Sequence, residues 1–285
     1  MSNTPKQILL ISDFFVHQVM GGGELNDWEL LTLLKDLGHE VNAINSHLVT
    51  PRHVETGVVN NCYFIVSNFC NLSEESRNSL QQRAHYIIYE HDHKYLKSRN
   101  PAEYNNFLAP REDIVNFSFY QKAATVMCQS HFHAEIVRAN LKLDNIMSVA
   151  GNLWSLDSLR LMEEISTEKK SPTCAIMKSD NWHKNTSDAI KLCEYKGWEY
   201  NLIDPSSYNE FLRNIGKNEK FVFLPKTPET LSRVVVEARM MGLSVVTNNQ
   251  VGATKEGWFD LKGKPLIEVM RRKREEIPKL VLGRL

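Results

Sequence analysis

The chain has 285 residues, 42% of them hydrophobic and 24% charged, which is the range of ordinary globular proteins and enough for two domains. Lys plus Arg and Asp plus Glu both number 34, which excludes a strong overall field toward nucleic acid or an anionic membrane, although a local basic groove is compatible with it. The cysteines show no Cys-x-x-Cys spacing, which argues against a disulfide framework. No apolar run reaches the roughly 20 residues that a membrane span needs, so we expect a cytoplasmic protein.

Short apolar runs alternate with helix-period segments along the first half of the chain. Residues 7–14 predict a strand, and the leucines between 30 and 37 have the i, i+3, i+4, i+7 spacing of a helix that Gly38 ends. Further strands are predicted at 39–45, 62–69, 85–90 and 124–130, and helices near 72–83, 111–123 and 130–141. The pattern predicts a βα array with a parallel sheet.

A second array follows a charged stretch at 157–172 that ends in Ser-Pro and is interpreted as a linker. Its strands are predicted at 173–178, 198–204, 220–225 and 243–248, and its helices near 184–195, 207–215 and 230–241. We predict an α/β protein of two Rossmann-like parallel-sheet domains, 1–156 and 157–262, facing a central cleft that binds the ligand. A C-terminal helix at 263–285, ended or kinked at Pro278, is expected to pack back on the first domain.

The segment "PETLSRVVVEARMMGLSVV" is the strongest candidate for chemistry. Thr230, Leu231 and Ser232 can begin a helix after the strand at 220–225, and free N–H groups at a helix N-terminus are a natural seat for a diphosphate. Glu229 and Glu237 flank this helix start. The residues alone equally allow a capped amphipathic helix with two solvated glutamates.

The spacing of Glu229 and Glu237 followed by "ARMMGLSVV" resembles the signature of retaining GT-B glycosyltransferases of the glycogen-synthase and sucrose-synthase type. The stretches "GGGEL", "LLKDLGHEV", "ATVMCQSHFHAEIV" and "AIMKSDNWHKNTSDAI" resemble other parts of that family in the same order. The resemblance implies the GT-B fold and an enzyme that transfers a sugar from a nucleotide-diphosphate sugar, UDP-sugar first, with no cofactor and no metal.

The resemblance also implies roles for single residues. Glu237 would hold the ribose hydroxyls of the nucleotide, Glu229 the hydroxyls of the transferred sugar, and Lys178 and Lys184 the diphosphate. Cations there stabilise the charge that develops on the leaving diphosphate. Lys178 stands where the family usually has arginine, so bidentate recognition is lost at that position.

The glycine run at 21–23 has two interpretations. In the family that the chain resembles, Gly21, Gly22 and Gly23 would let backbone amides approach the diphosphate and the acceptor side of the sugar. The residues alone favour a flexible connection or a turn with positive φ, since the pattern Gly-x-Gly-x-x-Gly is not met.

The stretch "YEHDHKYL" places polar residues at the carboxyl end of a predicted strand. By the resemblance, His91 would contact the donor sugar, and Asp92, His93 and Glu24 are acceptor-side candidates. A structural role is the alternative for His91. A second alternative is a metal site formed by His91 and His93, since a His-x-His pair points both imidazoles the same way on a strand, with further ligands from Glu90, His131 and His133.

The short chain is similar to compact glycosyltransferases of tailed phages, some of which modify hydroxymethylated bases in DNA. A DNA acceptor needs a basic face, for which the candidates are Arg52, His53, Lys94, Lys97, Arg99 and Arg111, and a solvated surface explains them equally well. Alternatives are a glycan or small-molecule acceptor, or a non-catalytic nucleotide-sugar-binding module. A nicotinamide-dependent enzyme is disfavoured by the missing glycine pattern.

Overall fold

The computed structural model describes residues 5–285, which divide into two compact units. Unit 1 takes the described residues up to Leu153 together with Arg274–Leu285, and unit 2 takes Trp154–Lys273. The division falls three residues before the boundary predicted at 156.

Unit 1 is built on a six-stranded parallel sheet with strand order β2-β1-β3-β4-β5-β6. The strands are β1 (Gln7–Ser12), β2 (Glu40–Asn45), β3 (Cys62–Val66), β4 (Tyr86–Glu90), β5 (Thr125–Cys128) and β6 (Ile146–Ser148). The helices are α1 (Gly22–Asp36), α2 (Pro51–Val59), α3 (Glu74–Arg83), α4 (Phe117–Lys122) and α5 (His131–Leu141). Ile8 and Leu10 of β1 pack in one core and Ile11 in another, because successive strand residues face opposite sides. The sheet is therefore buried on both faces, as parallel sheets are.

Unit 2 is built on a four-stranded parallel sheet with strand order β10-β9-β7-β8. The strands are β7 (Ser171–Met177), β8 (Tyr200–Ile203), β9 (Asn218–Phe223) and β10 (Ser244–Thr247). The helices are α6 (Leu156–Thr167), α7 (Thr186–Lys196), α8 (Tyr208–Gly216) and α9 (Arg233–Met240). Phe221, Phe223 and Val235 share its main core, so β9 and α9 are held firmly on either side of the segment that joins them.

The interpretation of the charged stretch 157–172 as a linker is wrong for its first part, which forms helix α6. Ser155 caps this helix through its hydroxyl, which accepts the Ser158 N–H, and Leu159, Met162 and Ile165 are buried. These three residues are spaced i, i+3, i+6 and lie on one face, so the charges occupy the exposed face of an amphipathic helix.

The helix predicted near 111–123 is also corrected. A 3₁₀ turn at Arg111–Asp113 is separated from α4 by Asn116, which adopts the left-handed conformation with φ of 56° and breaks the helical path.

Helix α10 (Lys264–Leu282) continues through Pro278, so of the predicted end or kink at this residue the end does not occur and the kink stays a prediction. Ile277 and Val281 are buried in the same core as β1, and this packing stabilises the final turn despite the missing N–H of proline. Among residues 5–285, no helix has the length and apolarity that crossing a membrane requires.

Candidate functional site

The segment after β9 is held by a short parallel pairing in unit 2. Glu229 donates its backbone N–H to the Gln250 carbonyl at 2.8 Å and accepts from Gly252 N–H at 2.9 Å. Ala253 N–H donates to the Leu231 carbonyl at 3.0 Å. Because both sides of the segment are bonded, the Glu229 side chain and the start of α9 have fixed positions.

Glu229 and Lys184 form an ion pair at the carboxyl edge of this sheet. Lys184 Nζ lies 2.7 Å from Glu229 Oε1, and the two side chains are 31% and 16% exposed. Lys184 ends the 3₁₀ turn Trp182–Lys184 in the loop between β7 and α7. The structure thus brings together two residues that the sequence pattern assigned to one ligand.

Glu237 is buried beneath the start of α9, at 3% exposure. Its Oε1 accepts from Trp154 Nε1 at 2.9 Å and from the Tyr208 hydroxyl at 2.7 Å, and Arg233 Nε lies 3.6 Å away. Burial and the Glu237 carboxylate raise the pKa of the Tyr208 phenol well above its usual value, so the phenol remains a donor. These contacts fix the orientation of the carboxylate.

Ser232, the N-cap residue of α9, does not take the capping role predicted for it. It has φ of 72°, and its hydroxyl makes no capping bond. The Ser232 Oγ atom is buried without a hydrogen-bond partner within the described residues. This hydroxyl, at the N-terminus of a helix, is therefore available to an anion.

Other buried polar atoms without a partner in the described part of the chain lie at the same edge of the unit 2 sheet. His183 Nδ1 and Asn185 Oδ1 follow strand β7. Thr247 Oγ1 lies at the end of β10, and Gln250 Oε1 lies three residues after it. Buried polar atoms are nearly always paired in native proteins, so a concentration of unpaired ones marks an edge that a polar ligand can satisfy.

Lys178 contacts a different residue from Lys184. Its ammonium lies 2.7 Å from Asp204 Oδ1, and the two side chains are 54% and 69% exposed. The hydrogen bond to Asp204 raises the pKa of Lys178. Lys178 thus lies at the end of β7 toward β8 and is solvated, and its contact with a diphosphate stays a prediction.

In unit 1, His91 lies directly after β4 and joins a buried hydrogen-bond chain. Its Nε2 lies 2.6 Å from Asp27 Oδ1, and its Nδ1 contacts the Gln129 amide nitrogen. Gln129 Oε1 in turn accepts from Asn152 Nδ2 at 3.0 Å. With Nδ1 accepting, Nε2 carries the proton and donates to Asp27, which fixes the ring and its tautomer.

The glycine run leads into α1 and does not form a turn with positive φ. Gly21 is the N-cap residue with φ of −109°, and Gly22 and Gly23 are the first helical residues. A Cβ on Gly23 would lie 3.3 Å from His91 Cγ and 3.6 Å from Asn68 Nδ2. A side chain at position 23 would therefore require the imidazole to shift by a few tenths of an ångström.

Glu24 folds back over the N-terminus of α1. A Cβ on Gly21 would overlap its carboxylate oxygen. Burial raises the pKa of Glu24, while its own backbone N–H and the nearby His91 act in the opposite direction. The carboxylate therefore lies beside the His91 and Asp27 pair, in the part of unit 1 assigned to the acceptor.

Asp92 belongs to a network of charges around the end of β4. Lys94 Nζ lies 2.8 Å from Asp92 Oδ1 and contacts Glu90, and Arg99 pairs with the other Asp92 oxygen. Burial acts to raise the pKa of Asp92, but Lys94 and Arg99 outweigh it and hold the pKa well below its usual range. Burial raises the pKa of Glu90, whose carboxylate also accepts from the Tyr120 hydroxyl.

His93 is buried, which corrects its assignment as an acceptor-side residue. It is 2% exposed, its Nδ1 lies 3.2 Å from the Tyr95 hydroxyl, and its ring packs edge-on against His133. Burial lowers the pKa of His93 to about 4 and that of His133 well below its usual value, so both rings are neutral. His133 supports the 91–94 loop, because its Nε2 donates to the Asp92 carbonyl at 2.8 Å.

The alternative metal site is not formed by the residues proposed for it. Glu90 is bonded to Lys94 and Tyr120, and His133 to backbone groups of residues 92 and 129. Within residues 5–285, no three His, Cys, Asp or Glu side chains group in a way that could hold a metal ion.

The residues predicted as a basic face for nucleic acid line three pockets of unit 1. Arg52 and His53 line one, Arg111 a second, and Lys94, Lys97 and Arg99 a third, in which Lys94 is buried at 3% exposure. A nucleic-acid acceptor stays a prediction.

Several residues of these clusters were not found from the sequence, namely Asp27, Gln129, Trp154, Tyr208 and Arg233. A signal existed for two of them. Asp27 lies four residues after Gly23 and therefore on the same face of α1, and Arg233 lies within the Glu229 to Glu237 segment at the predicted helix start. The other three come from distant parts of the chain.

The two parallel-sheet units have the GT-B fold, which solved structures of glycosyltransferases share. The catalytic domain of starch synthase IV from Arabidopsis thaliana, bound to ADP and acarbose, has a TM-score of 0.61 and 11% identity, covering 98% of this chain and 95% of that one. Anabaena HepE in complex with UDP and glucose has a TM-score of 0.56 and 13% identity, covering 95% of this chain and 90% of that one. An alpha-glucosyltransferase in complex with UDP and a 13-mer DNA containing a HMU base has a TM-score of 0.50 and 11% identity, covering 96% of this chain and 94% of that one. No protein-family model and no curated protein sequence matches the chain.

Proposed function

We propose that the protein is a metal-independent, retaining glycosyltransferase that uses a nucleotide-diphosphate sugar, with a UDP-sugar as the first candidate. The observation that carries the proposal is the carboxyl edge of the unit 2 sheet. There the N-terminus of α9, the Ser232 hydroxyl, which has no partner within the described residues, and the Lys184–Glu229 pair lie on neighbouring segments. A diphosphate would satisfy the donors, and sugar hydroxyls would satisfy the carboxylate.

In this proposal, unit 2 holds the donor. Glu237, oriented by Trp154 and Tyr208, accepts from the ribose hydroxyls, and Glu229 accepts from the sugar hydroxyls. Lys184, Lys178 and the N–H groups at the start of α9 hold the diphosphate. Their fixed positive charge stabilises the negative charge that develops on the leaving group, which removes the need for a metal ion.

The reaction breaks the bond between the anomeric carbon and the diphosphate oxygen. The acceptor oxygen bonds to the same carbon on the same face, and its proton passes to the leaving phosphate oxygen. This route needs no dedicated general base. His91 contacts the transferred sugar, and the glycine run with Asp92 and Glu24 forms the acceptor side.

The acceptor is proposed to be a hydroxymethylated base in DNA. The support is limited to the compact chain and to the likeness in fold to the alpha-glucosyltransferase whose structure contains DNA with a HMU base. A glycan or small-molecule acceptor is the alternative, and a non-catalytic nucleotide-sugar-binding module is the rival from a different class.

The deciding experiment is a thermal-shift screen over UDP-, ADP- and GDP-sugars, followed by an assay of nucleotide release in the presence of EDTA. A donor present at 100 times its Kd stabilises the fold by about 2.7 kcal/mol. Release of UDP from a UDP-sugar, unaffected by EDTA, is expected. Binding without release would favour the non-catalytic module, and release that only Mg²⁺ or Mn²⁺ restores would contradict metal independence.

The variant Glu237→Ala is expected to weaken UDP binding by roughly 1–3 kcal/mol, because it removes hydrogen bonds to the ribose in a desolvated site. Calorimetry with free UDP measures the effect. Glu219→Ala is the matched control, since Glu219 is an exposed residue of β9 in the same unit. Unchanged UDP affinity in a folded Glu237→Ala protein would contradict the ribose assignment.

The variant Gly23→Ala is expected to slow nucleotide release about tenfold, since the added Cβ displaces His91 by a few tenths of an ångström. Stability should change by less than about 1 kcal/mol, because alanine is the better helix former at this helical position. Melting temperature and turnover are measured together. Gly257→Ala, where the added Cβ meets nothing within 4 Å, is the control. A loss of stability with normal turnover would show that the glycine has only a structural role.

A further inference from the structure

Unit 1 contains a cationic pocket beside the 91–94 loop. Its volume is about 340 Å³, and its cationic lining residues are Arg77, Lys94, Lys97 and Arg99. The remaining lining residues are apolar or neutral, with Phe69, Leu96 and Asn116 among them, and none is acidic. We call it the Arg77 pocket.

Hydrogen bonds and ion pairs with neighbouring residues hold the cations of the Arg77 pocket in place. Arg77 Nη1 donates to Asn116 Oδ1 at 2.9 Å, and Arg99 pairs with Asp92, which does not line the pocket. Burial acts to lower the pKa of Lys94, but Asp92 and Glu90 raise it above its usual value, so the ammonium stays charged. Lys97 is 57% exposed and lies 3.4 Å from Asp113 Oδ1, which leaves it free to turn toward a ligand.

Two residues of the pocket wall adopt left-handed backbone conformations that non-glycine residues rarely take. Arg99 has φ of 59° and Asn116 has φ of 56°. Such conformations are unfavourable and persist where the surrounding structure determines them. In this pocket the two conformations set the direction of the Arg99 guanidinium and of the Asn116 amide, which binds the Arg77 guanidinium.

The pocket adjoins the residues assigned to the acceptor. Lys94 Nζ lies 3.2 Å from Asn68 Oδ1, and the amide of Asn68 packs beside Gly23, which packs against His91. Lys94 also contacts Asp92, the residue after His91. A group bound in the pocket is therefore one side chain away from the acceptor side of unit 1.

We infer that the Arg77 pocket binds a phosphate group carried by the acceptor. Two guanidinium groups and the Lys97 ammonium surround a small cavity without an acidic lining residue, and the buried Lys94 ammonium, whose three N–H groups are bonded to Glu90, Asp92 and Asn68, adds only its charge. This set matches a compact anion with several acceptor oxygens. The inference rests on the proposed glycosyltransferase function and extends it. The acceptor is phosphorylated, either as a phosphodiester of nucleic acid or as a phosphate monoester of a small molecule.

The test measures binding of two probes, a short single-stranded oligothymidylate and glucose 6-phosphate, to the full chain. The variants are Arg77→Gln and Lys97→Gln, and Arg83→Gln is the matched control. Arg83 lies on the same helix as Arg77, but it is exposed and paired with Glu55 at 3.0 Å. UDP affinity is measured on the same preparations.

We expect at least one probe to bind, and Arg77→Gln to weaken it about tenfold or more, with Arg83→Gln like the wild type. In the oligothymidylate arm, each removed contact should also lower the slope of binding against salt concentration by about 1. Binding of the oligothymidylate alone assigns the phosphate to nucleic acid, and binding of glucose 6-phosphate alone assigns it to a small acceptor.

The inference is overturned if neither probe binds, or if Arg77→Gln and Lys97→Gln bind as well as Arg83→Gln. Normal UDP binding in those variants would leave the glycosyltransferase proposal intact. A wild-type chain that binds a phosphate probe but no nucleotide would instead overturn the proposed function, while phosphate binding by the Arg77 pocket would stand.

Discussion

The variant Lys94→Met is expected to lower the free energy of unfolding by about 3–5 kcal/mol, because removal of one partner leaves buried carboxylates uncompensated. Lys94 is 3% exposed, and its ammonium contacts Glu90, Asp92 and Asn68. Glu90 is wholly buried and would have to take up a proton or remain charged without its cation. Urea unfolding at neutral pH measures the loss.

The matched control is Lys97→Met, three residues further on. Its ion pair with Asp113 is solvent-exposed, so a loss below about 1 kcal/mol is expected. The double variant Glu90→Gln/Lys94→Met should recover part of the loss, since the glutamine no longer needs a counter-charge. If Lys94→Met were as stable as Lys97→Met, the network would not stabilise the loop that carries His91.

The strand–helix alternation of both units was predictable, since buried parallel strands are short apolar runs and the helices between them have a 3.6-residue period. Helix α6 was missed because its exposed face is so charged that the buried Leu159, Met162 and Ile165 were overlooked. The end predicted at Pro278 failed for another reason. Burial of Ile277 and Val281 against the core of unit 1 is a tertiary effect that no local pattern contains.

Site residues divide in the same way. Glu229, Glu237 and Lys184 could be proposed from the sequence because each lies in a segment or loop that follows a predicted strand. The partners of Glu237 could not be found, because Trp154 and Tyr208 are distant in sequence and meet it only in the folded unit. His93 was proposed for the acceptor side or the surface, but it lies past the end of β4, where the folded chain buries the imidazole, and no local pattern contains that burial.

At each site, buried partners orient a side chain that is proposed to touch the ligand. In unit 2 Trp154 and Tyr208 orient Glu237, and in unit 1 Asp27 and Gln129 orient His91. Glu237 and His91, both proposed to touch the donor, are thus held by neighbours that are not assigned to it. Such support fixes a polar group in one rotamer before the ligand arrives, which favours the transition state over the ground state.

The variant His91→Ala is expected to lower the rate of nucleotide release about 100-fold, because the imidazole is proposed to pack against the transferred sugar and a displacement of the reacting group by about 1 Å typically costs that much. Free UDP should bind with unchanged affinity, because His91 is proposed to contact the sugar and the proposed nucleotide contacts are in unit 2. Donor hydrolysis without acceptor is the measurement, so the result does not depend on knowing the acceptor.

Two further variants separate a contact with the sugar from a structural role. His131→Ala removes an exposed histidine at the start of α5 and should leave the rate unchanged. Asp27→Asn keeps the shape beside His91 but weakens the bond at 2.6 Å that fixes its ring, so the rate should fall while UDP affinity stays normal. If His91→Ala released UDP at the wild-type rate, His91 would be a structural histidine of the α1 and β4 contact, and Gly23 would be needed only for that packing.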